Sequence, residues 1–588
     1  MLHQLVQYAR DHNLAVEPGF KPKDVRWLIV LDDNGQFLDI MELGDTDDRR
    51  NKGRSFLSPD MSQPQMKSGG IIKSHFLTDA LDVVLLYGKN ADDPKTIKKH
   101  EYFKNFLLLA SSSMPVLKIM SDVLTDADKI ELIRQRAAEK KIKDTDKITF
   151  QIGDILPLET SDWHDWWRSF LKNLSGQSGD QQQTLVSGSM RCFISGGLVD
   201  PEKTHPKISG LGDVGGQASG SVMIGFDKDS FASYNLEQSK NAAVSVTMAA
   251  AYRAALDHLI KNSAKRFGGV KIIHWFKGKI ADQDDPLSWL EETGEQAELN
   301  AIARARKMLE SIHSGERPDL KENYYYSMTM SGAGGRVMLR DWMEGRFENL
   351  VENILCWFED LSIVNVKDGA LAPPCKFLAV LGSTVRVLDD LAAPHIAAML
   401  RVAIRQEMIP MHFLAAALNR FKINAIQDNY IHAASPGLLK AYHIRKNRMK
   451  GGLNMSDVLK PGLNEDHPDP AYHCGRLMAV LAALQRSALG DVGAGIIQRY
   501  YAAASATPAL VLGRLTRTSQ FHLDKLEGGL RYWYQDKIAS IWSRIRDYPP
   551  RMLNLEEQSL FALGYYQQLA DLRTKKSDNS HNEKEQEL

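Results

Sequence analysis

The 588-residue sequence has little cysteine and no run of apolar residues long enough to cross a bilayer. Its four cysteines, Cys192, Cys356, Cys375 and Cys474, show no paired spacing. This pattern argues against a disulfide framework and a zinc cluster, and it is typical of a reducing compartment. The N-terminus also lacks the charged and apolar regions of a signal peptide. We therefore expect a soluble protein of the cytoplasm with no membrane partner.

The chain has no net charge either, because 73 Lys and Arg residues balance 73 Asp and Glu residues. Proteins dominated by nucleic-acid binding are often basic, so composition gives no support to a nucleic-acid partner. A nucleic-acid site would have to be a local patch or act inside a larger assembly. With 43% apolar residues the chain can bury cores, and its length predicts several domains.

Several catalytic motifs are missing. The sequence has no G-x-x-x-x-G-K-[ST] phosphate loop, no H-E-x-x-H metal site and no G-x-S-x-G nucleophile motif. We also find no spaced set of carboxylates and lysine that would hold two metal ions for nuclease chemistry. The sequence therefore predicts no catalytic residue, no metal and no cofactor. A stand-alone metal-dependent nuclease with an unfamiliar site is the alternative.

Strand and helix patterns divide the chain into a mixed front and a helical back. The run VRWLIVLDDNGQFLDIMEL predicts a hairpin, because Asn34-Gly35 is a favoured turn between apolar strands. From about Glu344, apolar residues recur at three- and four-residue spacing, which is typical of helices. Other predicted elements are helices around Ser74–Tyr87, 100–111, 127–141 and 242–261, and strands near 147–152, 190–195, 323–330 and 337–341.

The predicted fold is α+β, with a mixed α/β N-terminal region followed by an all-helical region that ends in a helical bundle. The charged end of the chain is low in apolar residues and is predicted to be disordered. The predicted segments are an α/β region with a flexible basic loop (1–174), a second α/β segment with a glycine-rich loop (184–343), a helical connector (344–450), a C-terminal bundle (455–573) and the tail (574–588).

The segment Leu211–Ser221, called the glycine loop below, is the richest in glycine. Glycine lets a backbone approach a phosphate or a base edge closely, and Gln217, Ser219 and Ser221 could donate hydrogen bonds there. A plain surface loop between strands is the other interpretation, since such loops are common. The spacing does not match the G-x-G-x-x-G motif of a dinucleotide site.

A second candidate is a basic segment in the N-terminal region. Short basic side chains beside glycines could enter a groove of DNA and read base edges, and the arginines upstream make the local field positive. The alternative is a solvated connection. The residues concerned are Arg49, Arg50, Lys52, Arg54, Lys67, Gly69, Gly70, Lys73 and His75.

Basic side chains recur in the helical region. Arg514, Arg517 and Lys525 have spacings that place them near one face of a helix, where they could track phosphates. An ordinary solvated face is the alternative, because Asp524 and other acidic residues are interleaved. The Tyr-Trp-Tyr triplet at 532–534 indicates helix packing rather than a base-stacking platform.

Five segments, taken in order, carry a resemblance to a known family. They are HPKISG (205–210), ASGS (218–221), SFASYNLEQSKNAAVS (230–245), AYHCGRLMAVL (471–481) and YYAAASATP (500–508). This succession resembles the large subunit of type I-C CRISPR Cascade, a Csd-type CRISPR-associated protein family. The similarity spans essentially the whole chain, and its specificity lies in the ordered set rather than in any single motif.

The resemblance implies a non-catalytic subunit of a crRNA-bound complex, beside the backbone subunits and the crRNA 5′-end-binding subunit. Such a subunit reads a protospacer-adjacent motif on double-stranded target DNA, helps open the duplex, guides the displaced strand and supports recruitment of a separate helicase–nuclease. Guide pairing then reads the sequence, while the protein reads a short motif and backbone shape. A structural scaffold without DNA contact is the remaining alternative.

The resemblance also implies where the motif would be read. It assigns this role to positions that combine glycine with hydrogen-bonding side chains, namely Lys67, Gly69, Gly70, Lys73, Gln217, Ser219 and Asn241. Arg49, Arg50, Lys52 and Arg54 would add DNA contacts, and Arg514, Arg517 and Lys525 would lie on the path of the displaced non-target strand.

The residues before the C-terminal bundle suggest an internal translation start. Lys450-Gly451-Gly452 can be encoded AAA-GGA-GGN, which contains the bacterial ribosome-binding consensus AGGAGG, and Met455 follows at a workable spacing. Translation from Met455 would give 134 residues, nearly all helical. The resemblance points the same way, because these systems make a small subunit from the same gene. A flexible interdomain loop is the alternative interpretation.

Overall fold

We describe a computed structural model of the chain. It describes residues 1–14, 17–44, 52–61, 73–176, 190–202, 204–291, 295–450, 458–545 and 548–586. These residues form two compact units. Unit 1 comprises Met1–Gly212, Gly216–Asn262 and Gly332–Val337, and unit 2 comprises Asp213–Gly215, Ser263–Ser331 and Met338–Leu588. The five segments predicted from the sequence stay a prediction.

Unit 1 mixes strands and helices. Its strands are β1 (Phe20–Val25), β2 (Trp27–Leu31), β3 (Phe37–Glu42), β4 (Arg54–Pro59), β5 (Asp79–Ala80), β6 (Lys147–Ile152), β7 (Met190–Arg191), β8 (Leu198–Val199), β9 (Lys207–Ile208) and β10 (Ser221–Val222). Its helices are α1 (Leu2–Asp11), α2 (Leu81–Leu85), α3 (Pro94–Ala110), α4 (Val116–Val123), α5 (Ala127–Glu139), α6 (Asp162–Gly176) and α7 (Val246–Asn262).

The main sheet of unit 1 contains the predicted hairpin. Its strand order is β3-β2-β6-β5, in which β2 and β6 run parallel and the outer pairs are antiparallel. The turn between β2 and β3 spans Asp32–Gln36, and Gly35 takes a positive φ of 73° there. The separate strands β1 and β4 form an antiparallel pair.

Helix α6 shows how the sequence builds the core of unit 1. Its apolar residues recur at three- and four-residue spacing, which places Trp163 and Trp167 on one buried face. The indole Nε1 of Trp167 donates a 2.7 Å hydrogen bond to the Gly19 carbonyl, so the buried ring keeps a polar partner. Helix and sheet residues share one continuous hydrophobic core.

Unit 2 begins with strands and continues as helices. The strands are β11 (Lys265–Phe267), β12 (Val270–Phe276), β13 (Tyr324–Ala333) and β14 (Arg336–Arg346), and the tip between β13 and β14 belongs to unit 1. The helices are α8 (Pro286–Trp289), α9 (Glu295–His313), α10 (Pro318–Lys321), α11 (Phe347–Leu361), α12 (Phe377–Gly382), α13 (Ala393–Arg405), α14 (Met411–Ile426), α15 (Ala434–Met449), α16 (Pro470–Leu489), α17 (Ile496–Ala506), α18 (Pro508–Leu523), α19 (Gly528–Ile545) and α20 (Leu555–Gln586).

Helix α16 lies at the centre of the C-terminal bundle and packs against α17, α18, α19 and α20. Its start is well defined, because the Asp469 side chain accepts a 2.8 Å hydrogen bond from the Ala471 N–H and Pro470 occupies the first turn. Helix α20 crosses it backbone to backbone. A Cβ on Gly475 would lie 1.9 Å from the Phe561 carbonyl oxygen, so only glycine allows this crossing.

The predicted fold class is confirmed, since strands and helices mix in the N-terminal part and the C-terminal part is helical. The helix predicted around Ser74–Tyr87 is wrong over most of its length. Leu77 and Leu86 take positive φ values of 63° and 49°, which limit the helix to α2 and leave room for β5. Helix α20 is described to Gln586, and the disorder predicted for the tail stays a prediction.

Candidate nucleic-acid interface

Part of the predicted basic surface can be placed. Lys52 is exposed just before β4. Arg54 forms an ion pair with Glu159, and its guanidinium lies 4.9 Å from the centre of the Phe56 ring. Lys73 is half-buried, and burial lowers the pKa of its ammonium group. Five other predicted residues, Arg49, Arg50, Lys67, Gly69 and Gly70, lie outside the described residues.

Charged contacts hold the chain on both sides of residues 62–72. Before them, Asp60 is 2% exposed and pairs with Arg253 of α7, which also lies 3.3 Å from Asp257. After them, the backbone N–H of His75 donates a 2.8 Å hydrogen bond to the buried carboxylate of Asp79. Because a buried carboxylate that loses a charged or hydrogen-bonding partner is costly, these contacts stabilise the two flanking positions in unit 1.

The glycine loop presents two of the predicted side chains. Gln217 and Ser219 are both exposed, whereas Ser221 is fully buried. The Gln217 N–H donates to Ser221 Oγ at 3.2 Å, and the Gly220 N–H donates to the Gln217 carbonyl at 2.9 Å. The backbone of the loop is therefore held from within while an amide and a hydroxyl face outward.

The tip between β13 and β14 supports the glycine loop. Gly335 has a φ of +88°, and its carbonyl accepts a 2.8 Å hydrogen bond from the Val222 N–H. A Cβ placed on Gly335 would lie 3.1 Å from Cδ of Gln217. The Gln217 amide thus lies across the tip, and a side chain at Gly335 would push it away.

Residues 226–241 form a neighbouring loop that is held at both ends. Arg336, at the same tip, pairs with Asp227 and lies 5.6 Å from the centre of the Phe231 ring. At the other end, Asn241 Nδ2 donates to the Leu236 and Gln238 carbonyls at 2.5 and 3.1 Å. The predicted residue Asn241 therefore has a loop-holding contact, and its proposed DNA contact stays a prediction.

This loop exposes an aromatic side chain that the sequence did not single out. Tyr234 is 97% exposed and has a positive φ of 53°. Non-glycine residues rarely adopt this backbone conformation, and it concentrates at functional sites. Arg336, at the tip between β13 and β14, was not predicted from the sequence either. Sequence gave no signal for either residue, because their positions depend on contacts between segments that are far apart in the chain.

Helix α7 connects the two predicted segments of unit 1. Asp257 accepts a 2.7 Å hydrogen bond from the Ser209 N–H, two residues before the glycine loop. Lys21 lies 3.5 Å from Asp257 and donates to Ser209 Oγ at 3.1 Å. Since Arg253 on the same helix pairs with Asp60, one helix contacts both the residues that lead into the glycine loop and a position within the basic segment.

In unit 2, helix α18 carries the predicted basic face. Arg514 and Arg517 are exposed on it, and Lys525 is exposed just beyond its end. Leu510 and Phe521 are 76% and 72% exposed. The spacing of Leu510, Arg514, Arg517 and Phe521 is that of one helix face. The face therefore combines two guanidinium groups with an exposed aromatic ring, which the sequence did not predict.

Asp524, one of the interleaved acidic residues, pairs with another cation, since it lies 3.1 Å from Arg531. Within the part of the chain that the structure describes, no acidic side chain is within ion-pair distance of Arg514, Arg517 or Lys525. These three charges are therefore directed to solvent, which is the arrangement that an anionic partner requires.

The family model of the CRISPR-associated protein Cas_Csd1 matches residues 2–573. The chain belongs to this family. The match covers nearly the whole chain and confirms the resemblance to a Csd-type Cascade large subunit. A search of the curated proteins gave no match.

As a Cas_Csd1 family member, the chain is a subunit of a CRISPR Cascade complex. In the described residues, no helix combines the length and the apolar character that crossing a bilayer requires. The same residues contain no group of three or more His, Cys, Asp or Glu side chains that could hold a metal ion.

Proposed function

We propose that this Cascade subunit reads the protospacer-adjacent motif on duplex DNA, and that Gln217 and Ser219 of the glycine loop contact the DNA. The observation that carries the proposal is their exposure on a loop whose backbone is held by Ser221 and by the tip at Gly335. An amide and a hydroxyl can hydrogen-bond to base edges, and a fixed backbone lowers the entropy that binding costs.

The neutral charge of the chain is compatible with this role. In a guide-RNA complex, base pairing reads most of the target and the protein reads only a short motif and backbone shape. The crRNA-bound backbone subunits and the crRNA 5′-end-binding subunit would supply the rest of the DNA channel. Lys52 and the predicted Arg49, Arg50, Lys67 and Lys73 would then add local phosphate contacts.

The test measures duplex-DNA binding by the assembled complex on targets that differ only in the flanking base pairs. We expect Gln217→Ala and Ser219→Ala to lower discrimination between flanks by about 1–3 kcal/mol for each side chain that hydrogen-bonds a base. Gln36→Ala is the matched control, because Gln36 is an exposed loop glutamine of the same unit. Equally weakened binding to every flank would assign the residues to phosphates instead.

We further propose that the exposed face of α18 guides the non-target strand once the duplex has opened. Support comes from Arg514, Arg517 and Lys525, whose charges are directed to solvent. Single-stranded DNA is bound by cationic grooves with aromatic side chains, and such binding weakens strongly with salt. Arg514→Ala with Arg517→Ala should therefore weaken single-strand binding and reduce its salt dependence.

The subunit itself is proposed to be non-catalytic and to support recruitment of a separate helicase–nuclease. The missing catalytic motifs and the Cascade family favour this division of labour. Metal-dependent cleavage of DNA by the purified chain would instead support the alternative of a stand-alone nuclease. Binding by the complex that ignores both salt and flank would support a structural scaffold without DNA contact.

Finally, we propose that translation also starts at Met455, outside the described residues, and yields a separate small subunit. The residues just after this position belong with the bundle, since Glu465 pairs with Arg476 and Lys537 at 3.2 and 3.0 Å. A start at Met478 would cut through α16, where that side chain is fully buried. Synonymous codons at 450–452 that remove AGGAGG should abolish the co-purifying fragment, and its persistence would contradict the proposal.

A further inference from the structure

A cleft of about 820 Å³ opens in the C-terminal bundle, between α16, α17, α19 and α20. Its volume is within the usual range of small-molecule sites. Alanines of α16, including Ala482 and Ala483, form part of its wall, and Trp533 of α19 lines another part. Small residues on one side and a partly buried indole on the other leave room for a flat ring.

Polar groups converge on the same cleft. Gln485 from α16 and Gln498 from α17 meet at Gly495, where an added Cβ would lie 3.1 Å from Oε1 of each amide. Gln485 Oε1 also accepts a 2.8 Å hydrogen bond from the Ile496 N–H, which fixes that side chain. The lining therefore offers amide groups in positions set by two helices.

The charged residues of the lining balance. Arg486 and Arg573 contribute two cations, and Asp428 and Asp491 contribute two anions. A phosphate site would have an excess of cations. A neutral base carries hydrogen-bond donors and acceptors on its edge, and this lining offers acceptors as well as donors. Arginine, glutamine and carboxylate side chains are the groups that hydrogen-bond base edges.

The chain leads from the basic face of α18 to the rim of the cleft within a few residues. Phe521 lies near the end of that helix, Lys525 follows it, and Gly529 and Leu530 of the cleft rim come four and five residues after Lys525. A strand whose phosphates contact Arg514 and Arg517 would thus reach the cleft at the turn between α18 and α19. The positive charges on α18 suit the phosphates of a strand, and the lining of the cleft, which has no net charge, suits a base.

We propose that this cleft binds an unstacked nucleobase of single-stranded DNA, with the base lying against Trp533 and its edge facing the amides of Gln485 and Gln498. The proposal rests on the strand path proposed above for α18. An apolar protein segment fits the balanced lining less well, because it would offer no hydrogen bonds to the charged and amide groups of the cleft.

Gly529→Phe tests the proposal by placing an aromatic ring at a residue that lines the cleft. No atom lies within 4 Å of a Cβ at Gly529 and its φ is outside the left-handed region, so the new ring is accommodated without backbone strain. Gly269→Phe is the matched control, since Gly269 is equally open but lies between β11 and β12. The probe is a single-stranded oligodeoxynucleotide carrying 2-aminopurine, whose fluorescence is quenched on stacking.

With the full-length chain, we expect quenching at one probe position, its disappearance in Gly529→Phe, and roughly tenfold weaker binding. Gly269→Phe should behave as wild type.

If Arg514→Ala with Arg517→Ala weakens binding while Gly529→Phe changes neither affinity nor quenching, the cleft proposal is wrong and the proposed strand path is supported. If Gly529→Phe abolishes quenching but the arginine variants bind normally, the cleft stands and the path fails. Failed complex assembly with intact DNA binding would show that the cleft holds a protein segment and would overturn the proposal.

Discussion

At the scale of single residues, the described chain holds several histidines in surroundings that disfavour the charged imidazolium. Burial is the main cause in each case, and it lowers the pKa from the ordinary 6.5 to about 4 at His75, His205, His443, His467 and His473. His473 shows why the neutral form fits. It contacts the His467 carbonyl oxygen at 2.6 Å through Nε2 and the Arg476 guanidinium at 3.1 Å through Nδ1.

These histidines predict acid sensitivity. The unfolded chain has ordinary histidine pKa values near 6.5, so between about pH 6.5 and 4 it binds more protons than the folded chain. The stabilising contribution is complete above pH 6.5 and is lost as the pH falls towards 4, by about 1–3 kcal/mol for each histidine. Urea unfolding at several pH values tests this. A urea midpoint that stays constant as the pH is lowered from 6.5 towards 4 would contradict the prediction.

The buried pair Asp60–Arg253 gives a second prediction at this scale. Arg253→Met removes the cation that pairs with the buried Asp60 carboxylate, which should lower the free energy of unfolding by about 3–5 kcal/mol. Lys261→Met on the same helix breaks an exposed pair with Asp24 and should cost at most about 1 kcal/mol. Similar unfolding midpoints for the two variants would show that the buried pair does not hold unit 1.

At the scale of elements, the crossing of α16 and α20 holds the bundle together. Gly475 meets the Phe561 carbonyl, and a Cβ on Gly564 would lie 2.1 Å from the Tyr472 carbonyl oxygen. Two glycines, one on each helix, therefore let the backbones touch. A larger residue at either position must move a backbone rather than a flexible side chain.

Gly475→Ala should therefore destabilise the protein by about 1–3 kcal/mol or more, because the added methyl overlaps a backbone carbonyl. Gly513→Ala is the matched control in the same bundle. Gly513 lies in α18 with no atom near its Cβ position, so alanine should raise stability by up to about 1 kcal/mol. Thermal unfolding measures both, and equal effects would contradict the close crossing.

Local patterns predicted the elements whose partners lie close in the chain. The hairpin, strand β6 and helices α3 and α5 follow from apolar spacing and from a glycine turn. The region Ser74–Tyr87 was wrong because the positive φ values at Leu77 and Leu86 result from packing rather than from local preference. The strand predicted near Met190–Ser195 is limited to β7, because residues 193–195 form a turn.

The candidate site was predicted in part. Sequence identified Gln217, Ser219, Arg514 and Arg517, all of which are exposed. It could not reveal the support from Gly335, the exposed Tyr234 or the amides at the cleft, since each depends on contacts between distant segments. For Asn241, sequence gave the residue but not its hydrogen bonds to the adjacent loop carbonyls.

At the scale of the whole molecule, a neutral chain presents local surfaces of different character. Unit 1 presents Gln217 and Ser219 of the glycine loop, and unit 2 presents a basic helix face and a cleft with balanced charges. This distribution suits a subunit of a guide-RNA complex, in which the RNA pairs with the target and protein surfaces read short features of the DNA. Phosphate contacts then add affinity without sequence information.

The measurement that tests the central claim most directly compares complexes assembled with and without this subunit. Duplex targets share one guide-matched sequence and differ only in the flanking base pairs. We predict that the complete complex binds one class of flank more tightly, by at least tenfold, and that the complex without this chain binds all flanks alike. If flank discrimination persists without the chain, the motif is read elsewhere in the complex and the account is wrong.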